Sequence, residues 1–154
     1  MKLAPWFAAT LMLFGQQDKH EEVPLRIQMM VVISASRERF RPLMTYRIEQ
    51  RPGNSYWYET TITLEGGRYC RIYEHPSLRF VCQWDAKTKI DELTKRLQEA
   101  LGDGWKRADE KARSKAPRFA HKDEPAKNPV MELSEADGGV RLVVQQPSGG
   151  SVMH

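Results

Sequence analysis

The sequence predicts a single α+β domain in which an antiparallel β-meander of about five strands carries one amphipathic helix on one face and is followed by a C-terminal β-hairpin. Short runs of alternating apolar and polar residues, separated by turn residues, occupy positions 25–84 and are typical of antiparallel strands with one solvated face. The apolar period then lengthens to three and four residues over Asp85–Leu101, as in a helix. The chain of 154 residues has the length of one domain, which we place at 25–146.

The N-terminus has the order of parts of an export signal. Met1–Gly15 begins with the charged Lys2, continues with an uncharged and mostly apolar run, Leu3–Phe14, and ends on a small residue. The run is shorter than the roughly 20 apolar residues of a spanning helix, so a signal peptide is favoured over an anchor. We therefore expect a polar segment at 16–24, no transmembrane segment after signal removal, and a periplasmic or extracellular location.

The first predicted strand is Leu25–Ala35, where apolar residues recur at every second position. One side of it carries Leu25, Ile27, Met29, Val31, Ile33 and Ala35. The charged stretch Arg37–Pro42 breaks the pattern, and a second strand is predicted at Leu43–Gln50.

A turn at Arg51–Asn54 leads into a third predicted strand, Ser55–Leu64. A hairpin centred near Gly53 would place Ile48 opposite Tyr58. The loop Glu65–Gly67 can close in two ways. A three-residue loop would place Ile62 opposite Cys70 and keep the apolar faces together, whereas a two-residue Gly-Gly turn would swap the faces. We favour the first.

The third hairpin turns at His75-Pro76-Ser77. Symmetric counting about Pro76 places Ile72 opposite Phe80 and Cys70 opposite Cys82. Residues paired in this way have β-carbons about 4.5–5.5 Å apart, and an exported protein meets an oxidising compartment. A Cys70–Cys82 disulfide is therefore predicted, in preference to a Cys70 thiol nucleophile with His75 as its base.

The helix predicted at Asp85–Leu101 has its apolar stripe at Ile90, Leu93, Leu97 and Leu101. Asp85 or Thr88 could cap its start, and Gly102 suits its end.

The segment 105–128 is predicted to be a flexible loop, because large apolar residues are nearly absent from it and basic residues dominate. Its basic part, Lys106–Lys122, could touch an anionic surface. A last hairpin is predicted at Pro129–Gln146, with Leu133 opposite Leu142, followed by a polar tail at 147–154.

Parity assigns the central side chains to two faces. The predicted core face consists of Met44, Tyr46, Ile48, Tyr58, Ile62, Leu64, Ile72, Leu78, Phe80 and Trp84. The other face is either an ordinary solvated face or a binding platform, since its aromatic rings offer stacking area and its arginines offer forked donors. The candidate binding residues are Trp57, Tyr69, Arg71, Tyr73 and Arg79.

Composition and motifs exclude several function classes. A net charge of +4 is mild and gives no specific nucleic-acid signal. The four histidines lack ligand spacing, and no phosphate loop, G-x-S-x-G or H-E-x-x-H motif occurs. We therefore expect no metal and no cofactor, and favour a non-catalytic binding or inhibitor-like module with a protein or an anionic envelope partner. The alternatives are a structural component of an envelope assembly and a small hydrolase with an unrecognised site.

Overall fold

The computed structural model describes residues 23–50, 55–108 and 116–147. The predicted signal segment Met1–Gly15 and the predicted turn at Arg51–Asn54 lie outside these ranges. The helices are α1 (Leu25–Ser36) and α2 (Ile90–Leu101), with a short 3₁₀ turn at Arg41–Leu43. The strands are β1 (Met44–Gln50), β2 (Ser55–Thr60), β3 (Tyr69–Tyr73), β4 (Arg79–Trp84), β5 (Trp105–Arg107), β6 (Arg118–His121), β7 (Val130–Ala136) and β8 (Gly139–Gln145).

The α+β class is confirmed, but the predicted meander of five strands with one helix is wrong in its count. In the described part of the chain, eight strands form one antiparallel sheet in the order β1-β2-β3-β4-β8-β7-β6-β5. The C-terminal hairpin joins this sheet through β8, with Leu142 opposite Cys82. Within the hairpin, Leu133 lies opposite Leu142, as predicted.

The predicted first strand, Leu25–Ala35, is a helix. Its buried side chains include Leu25, Met29, Val32 and Ser36, which are spaced four, three and four residues apart and form one helical stripe. The segment is apolar at odd and even positions alike, so its pattern fits both periods. Burial of the helical stripe against the sheet outweighs the strand preference of its β-branched residues.

The third hairpin is as predicted. Ile72 lies opposite Phe80, and Cys70 lies opposite Cys82 with 4.1 Å between their α-carbons. The two cysteines form a disulfide, and both are buried. Because neither sulfur is a free thiol, the alternative of a Cys70 nucleophile is excluded.

The predicted register between β1 and β2 is wrong by one residue. Ile48 lies opposite Trp57 instead of Tyr58, and the pairing shifts between Met44 and Arg47 at a β-bulge. A bulge adds one residue to one strand and so moves the following side chains to the other face. Tyr46, which was predicted to be in the core, is 65% exposed.

The strand β2 is shorter than predicted. It ends at Thr60, and residues 61–68 form the connection to β3, so the predicted pair of Ile62 with Cys70 does not form. Tyr58 lies opposite Ile72. This differs from the predicted register by two residues, so the predicted faces of β2 and β3 are kept.

Both helices pack on one face of the sheet and enclose a single core. From the helices, Met29, Val32, Leu93 and Leu97 enter the cluster that contains Ile72 and other inward-facing strand residues. The ring of Phe40, which follows α1, stacks on that of Phe80 with their centroids 6.1 Å apart.

The helix α2 starts later than predicted. It begins at Ile90, and Lys89 at its N-cap makes no side-chain capping bond. Asp85 Oδ1 instead accepts a hydrogen bond from Lys87 N at 2.9 Å, in the turn before the helix. The end at Gly102 is as predicted, with a φ of 77° that glycine adopts without strain.

The segment 105–128, predicted to be a flexible basic loop, contributes the strands β5 and β6. Its two large apolar residues, Trp105 and Phe119, explain why these strands form, because both are buried in the core cluster. One aromatic anchor in each strand is enough to hold a short edge pair whose other residues are polar. Residues 109–115 lie outside the described ranges.

Gly139 allows a test of the close contact between the start of β8 and the end of β4. A β-carbon at Gly139 would overlap the carbonyl oxygen of Trp84, whereas one at Gly138 would meet no atom within 4 Å. We expect Gly139→Ala to lower the free energy of unfolding by about 1–3 kcal/mol, measured by urea denaturation. Gly138→Asn is the control, since asparagine tolerates the positive φ of Gly138 in this tight turn. Equal losses in the two variants would contradict the close approach.

The disulfide allows a second test. We expect the double variant Cys70→Ala/Cys82→Ala to lose about 3 kcal/mol of unfolding free energy, because the unfolded chain regains the freedom of the closed loop. Chemical denaturation of the variant, and of the wild-type protein with and without reductant, measures this loss. A reduced wild-type protein as stable as the oxidised one would show that the strand pairing alone sets the stability.

Candidate functional site

The candidate binding residues lie on the face of the sheet opposite both helices, which we call the open face. Side chains alternate between the two faces along a strand. Because Cys70, Ile72 and Phe80 point into the core beneath the helices, their odd-numbered neighbours in β3 and β4 point the other way.

On the open face, Trp57, Tyr69, Arg71, Tyr73 and Arg79 form one continuous series of contacts, which we call the aromatic–arginine ladder. Arg79 Cζ lies 5.0 Å from the centroid of the Tyr73 ring, and that ring lies 6.3 Å from the ring of Trp57. Arg71 Cζ lies 4.5 Å from the Trp57 ring and 4.1 Å from the Tyr69 ring. These distances are those of cation–π contacts, which are strongest at partly desolvated sites.

The strand registers produce the ladder. Tyr73 lies opposite Arg79, which brings the outermost cation onto its ring. Arg71 lies opposite Glu59, so Trp57 is its diagonal neighbour on β2, while Tyr69 lies two residues away on the same face of β3. Both rings therefore reach its guanidinium. The ladder therefore depends chiefly on the pairing of β2, β3 and β4.

Glu59 connects two members of the ladder. Trp57 Nε1 donates a hydrogen bond to Glu59 Oε1 at 3.2 Å, and Arg71 Nε lies 3.8 Å from the same oxygen. Arg71 Nε is buried and makes no hydrogen bond in the described structure. The carboxylate thus orients the indole and attracts the guanidinium electrostatically, without completing its hydrogen bonds.

The ladder members differ in exposure. Trp57, predicted to offer stacking area, is only 7% exposed and forms the floor of the ladder. Tyr69, Arg71, Tyr73 and Arg79 are half-buried and remain accessible from solvent. The surface that a partner can touch therefore consists mainly of the two tyrosines and the two arginines.

Arg79 also holds the end of the hairpin. Its Nη1 donates hydrogen bonds to the carbonyl oxygens of His75 and Ser77, at 2.9 and 3.0 Å. The guanidinium is therefore fixed both by the loop and by the ring of Tyr73, and it has lost most of its rotamer freedom before any partner arrives.

On the second half of the open face, around β4 and β8, sequence reasoning missed the hydrogen-bond partners of Gln83. Gln83, 2% exposed, donates from Nε2 to the carbonyl oxygens of Trp84 and Ala136 at 3.0 and 2.9 Å. Its Oε1 accepts a hydrogen bond from Arg141 Nε at 3.3 Å. The odd parity of Gln83 placed it on this face, but its partners follow only from the pairing of β4 with β8.

Between the two halves lies a small apolar patch. Val81 lies opposite Arg71 on one side and Val143 on the other. Val143 is in turn opposite Glu132, whose Oε2 lies 3.4 Å from Arg118 Nε. The open face thus has an apolar centre bordered by the ladder on one side and by an ion pair on the other.

A second polar cluster, also missed, lies on the opposite side of β2 and β3. Tyr56 donates its hydroxyl hydrogen to Glu74 Oε2 at 2.7 Å, and its oxygen lies 3.3 Å from His75 Nε2. Arg47 Cζ lies 5.1 Å from the centroid of the Tyr56 ring. The predicted register had placed Arg47 on the other face, which concealed this contact.

The hydrogen bond to the Glu74 carboxylate raises the pKa of the Tyr56 hydroxyl above the ordinary tyrosine value of about 10. Because the folded-state pKa is the higher one, the stabilisation is present below pH 10 or so and is lost as pH rises through the folded pKa.

Subtracting the phenolate absorbance titration of Tyr56→Phe from that of the wild-type protein isolates the titration of Tyr56, and we expect its midpoint above the ordinary value. Glu74→Gln should move the midpoint back toward that value. A wild-type midpoint at or below the ordinary value would contradict the hydrogen bond.

The described residues include no group of three or more histidine, cysteine, aspartate or glutamate side chains that could hold a metal ion. Within the same ranges, neither helix has the length and apolar character needed to cross a bilayer. Comparison with models of known families, with curated proteins and with solved structures found no significant match.

Proposed function

We propose that this chain is a non-catalytic binding module whose partner docks on the aromatic–arginine ladder. The observation that carries the proposal is the continuous contact of five aromatic and arginine side chains on a face that neither helix covers. Tryptophan, tyrosine and arginine are the residues that most often supply the binding energy of protein interfaces.

The internal contacts of the ladder favour a binding role over an ordinary solvated face. Binding normally costs the side-chain entropy of the groups that become ordered at an interface. Here the guanidinium of Arg71 already lies between the rings of Trp57 and Tyr69, and Arg79 is already held by its loop. Binding a partner would therefore cost little further side-chain entropy at this surface.

The charges of the ladder indicate the chemistry of the partner. The Nε of Arg71 is buried, but the side chain as a whole is 28% exposed, so the rest of its guanidinium is accessible to a partner. A carboxylate that approaches Arg71 and Arg79 would supply charge-assisted acceptors, while the half-buried Val143 nearby suits an apolar side chain. We propose a protein partner that presents acidic side chains beside apolar ones.

The disulfide supports placing this function outside the cytoplasm, in the periplasm or the extracellular space. The apolar run Leu3–Phe14 supports the same location through its resemblance to a signal sequence. Since both cysteines are engaged in the disulfide, a thiol nucleophile at Cys70 does not compete with the binding role.

The test is a matched pair of double variants. Arg71→Ala/Tyr73→Ala removes two accessible ladder members, and Arg47→Ala/Tyr46→Ala removes the same two residue types from β1. The wild-type protein and both variants are immobilised and used to capture partners from the envelope fraction of the producing cells, and captured proteins are then purified and titrated. We expect the ladder variant to bind at least 30-fold more weakly, since interface residues of this kind contribute about 2 kcal/mol or more.

Thermal unfolding of both variants controls for loss of structure. Trp57 is not used in the test, because its burial would make a loss of binding indistinguishable from a loss of fold. Equal affinity of the ladder variant and the β1 variant for the captured protein would remove the ladder as the docking surface.

A further inference from the structure

The helix α1 carries an unusual amount of exposed apolar surface. In the described part of the chain, the large apolar side chains that are exposed are Val23, Ile27, Met30, Val31 and Tyr46. All but Tyr46 belong to α1 or directly precede it, with exposures between 42% and 58%. Contiguous apolar surface of this kind marks an interaction site more often than isolated exposed residues do.

These side chains form one stripe. Val23, Ile27 and Met30 are spaced four and three residues apart, and Val31 lies beside them. The buried stripe of the same helix contains Met29 and Val32 and faces the core. The helix is therefore apolar on two opposite sides, which explains why its sequence showed no clear helical period.

The exposed stripe continues into a shallow groove at the end of the helix. Ile27, Met30 and Val31 line it together with Pro42, and its volume is about 340 Å³. The apolar surface thus extends along the whole of α1 to the turn that leads into β1.

Basic residues outnumber acidic ones along this segment. Arg26, Arg39 and Arg41 are exposed, and Glu38, which lines the groove, is the one acidic residue between positions 23 and 42. Arg37 is also exposed but donates a hydrogen bond from Nη2 to Asn128 Oδ1 at 2.9 Å. Helices that lie in a membrane interface typically combine apolar side chains with arginines. The apolar side chains enter the acyl boundary, and the arginines contact anionic headgroups.

We propose that the outward face of α1 docks on an anionic lipid surface. This site is on the opposite side of the sheet from the ladder, and it does not depend on the proposed function.

A second copy of the chain fits the face less well. In a parallel pair of α1 helices each arginine would approach its own equivalent, and in an antiparallel pair Arg26 would approach a segment in which Arg39 and Arg41 outnumber Glu38. Both arrangements bring together segments of net positive charge, which disfavours association. An anionic lipid surface satisfies the apolar stripe and the arginines at the same time.

A local probe tests the proposal in the full chain. Because the two native cysteines form the disulfide, Met30→Cys can be labelled with an environment-sensitive fluorophore under non-reducing conditions. Gln145→Cys, at an exposed position on the open face, is the control. The labelled proteins are mixed with phosphatidylcholine vesicles with and without phosphatidylglycerol.

We expect a blue shift at position 30 that requires phosphatidylglycerol and is reversed by salt, and no shift at position 145. In the same assay, Arg26→Gln/Arg39→Gln/Arg41→Gln should weaken vesicle binding by roughly tenfold or more, since each arginine near an anionic surface contributes to the attraction. Ile27→Ser/Val31→Ser should weaken it without changing thermal unfolding, because both side chains are exposed.

Three outcomes would overturn the proposal. The first is an unchanged spectrum at position 30 with anionic vesicles. The second is an equal shift at positions 30 and 145, which would mean that another part of the chain carries the protein to the lipid. The third is a shift at position 30 that rises with protein concentration in the absence of vesicles, which would identify a second copy as the occupant of the face.

Discussion

The pairing of β3 with β4 sets the organisation of this structure. Once Cys70 lies opposite Cys82, every even-numbered side chain of these two strands points toward the helices and every odd-numbered one points away. The disulfide fixes this register covalently at the centre of the sheet, where β4 also receives β8 and with it the C-terminal half of the molecule. The core and the ladder are consequences of the same alternation, so a slip of one residue in this hairpin would exchange them.

The sequence was sufficient where strands pair locally around a tight turn. The hairpins at Pro76 and at Asp137-Gly138 have the predicted partners, because a short loop and two alternating arms leave few registers open. It was insufficient where two physical solutions fit one pattern. As a helix, Leu25–Ser36 is apolar on two opposite sides, and the same residues also fit the alternating pattern of a strand. Burial against strands that are distant in the sequence decides in favour of the helix. Two buried aromatic residues hold β5 and β6, too few to give the segment 105–128 a strand pattern.

The candidate site shows the same division. Its five residues could be placed on one face, because the error in pairing β2 with β3 was an even number of residues and so left the faces unchanged. The alternation of side chains could not predict how deeply each one is buried. Trp57 lies beneath the accessible part of the ladder, because Arg71 covers one side of its ring. The contact of Arg47 with Tyr56 was hidden by the bulge in β1, for which the sequence carries no marker such as glycine.

The ends of the sheet have a consequence for how the molecule avoids aggregation. An edge strand presents unpaired backbone groups that can recruit a strand of another chain. One edge, β1, is interrupted by its bulge and carries the charged pair Arg47 and Glu49. The other, β5, is only three residues long. Both are recognised defences against edge-to-edge growth. Contacts with other molecules are then left to the open face of the sheet and to the outward side of α1, which covers the other face.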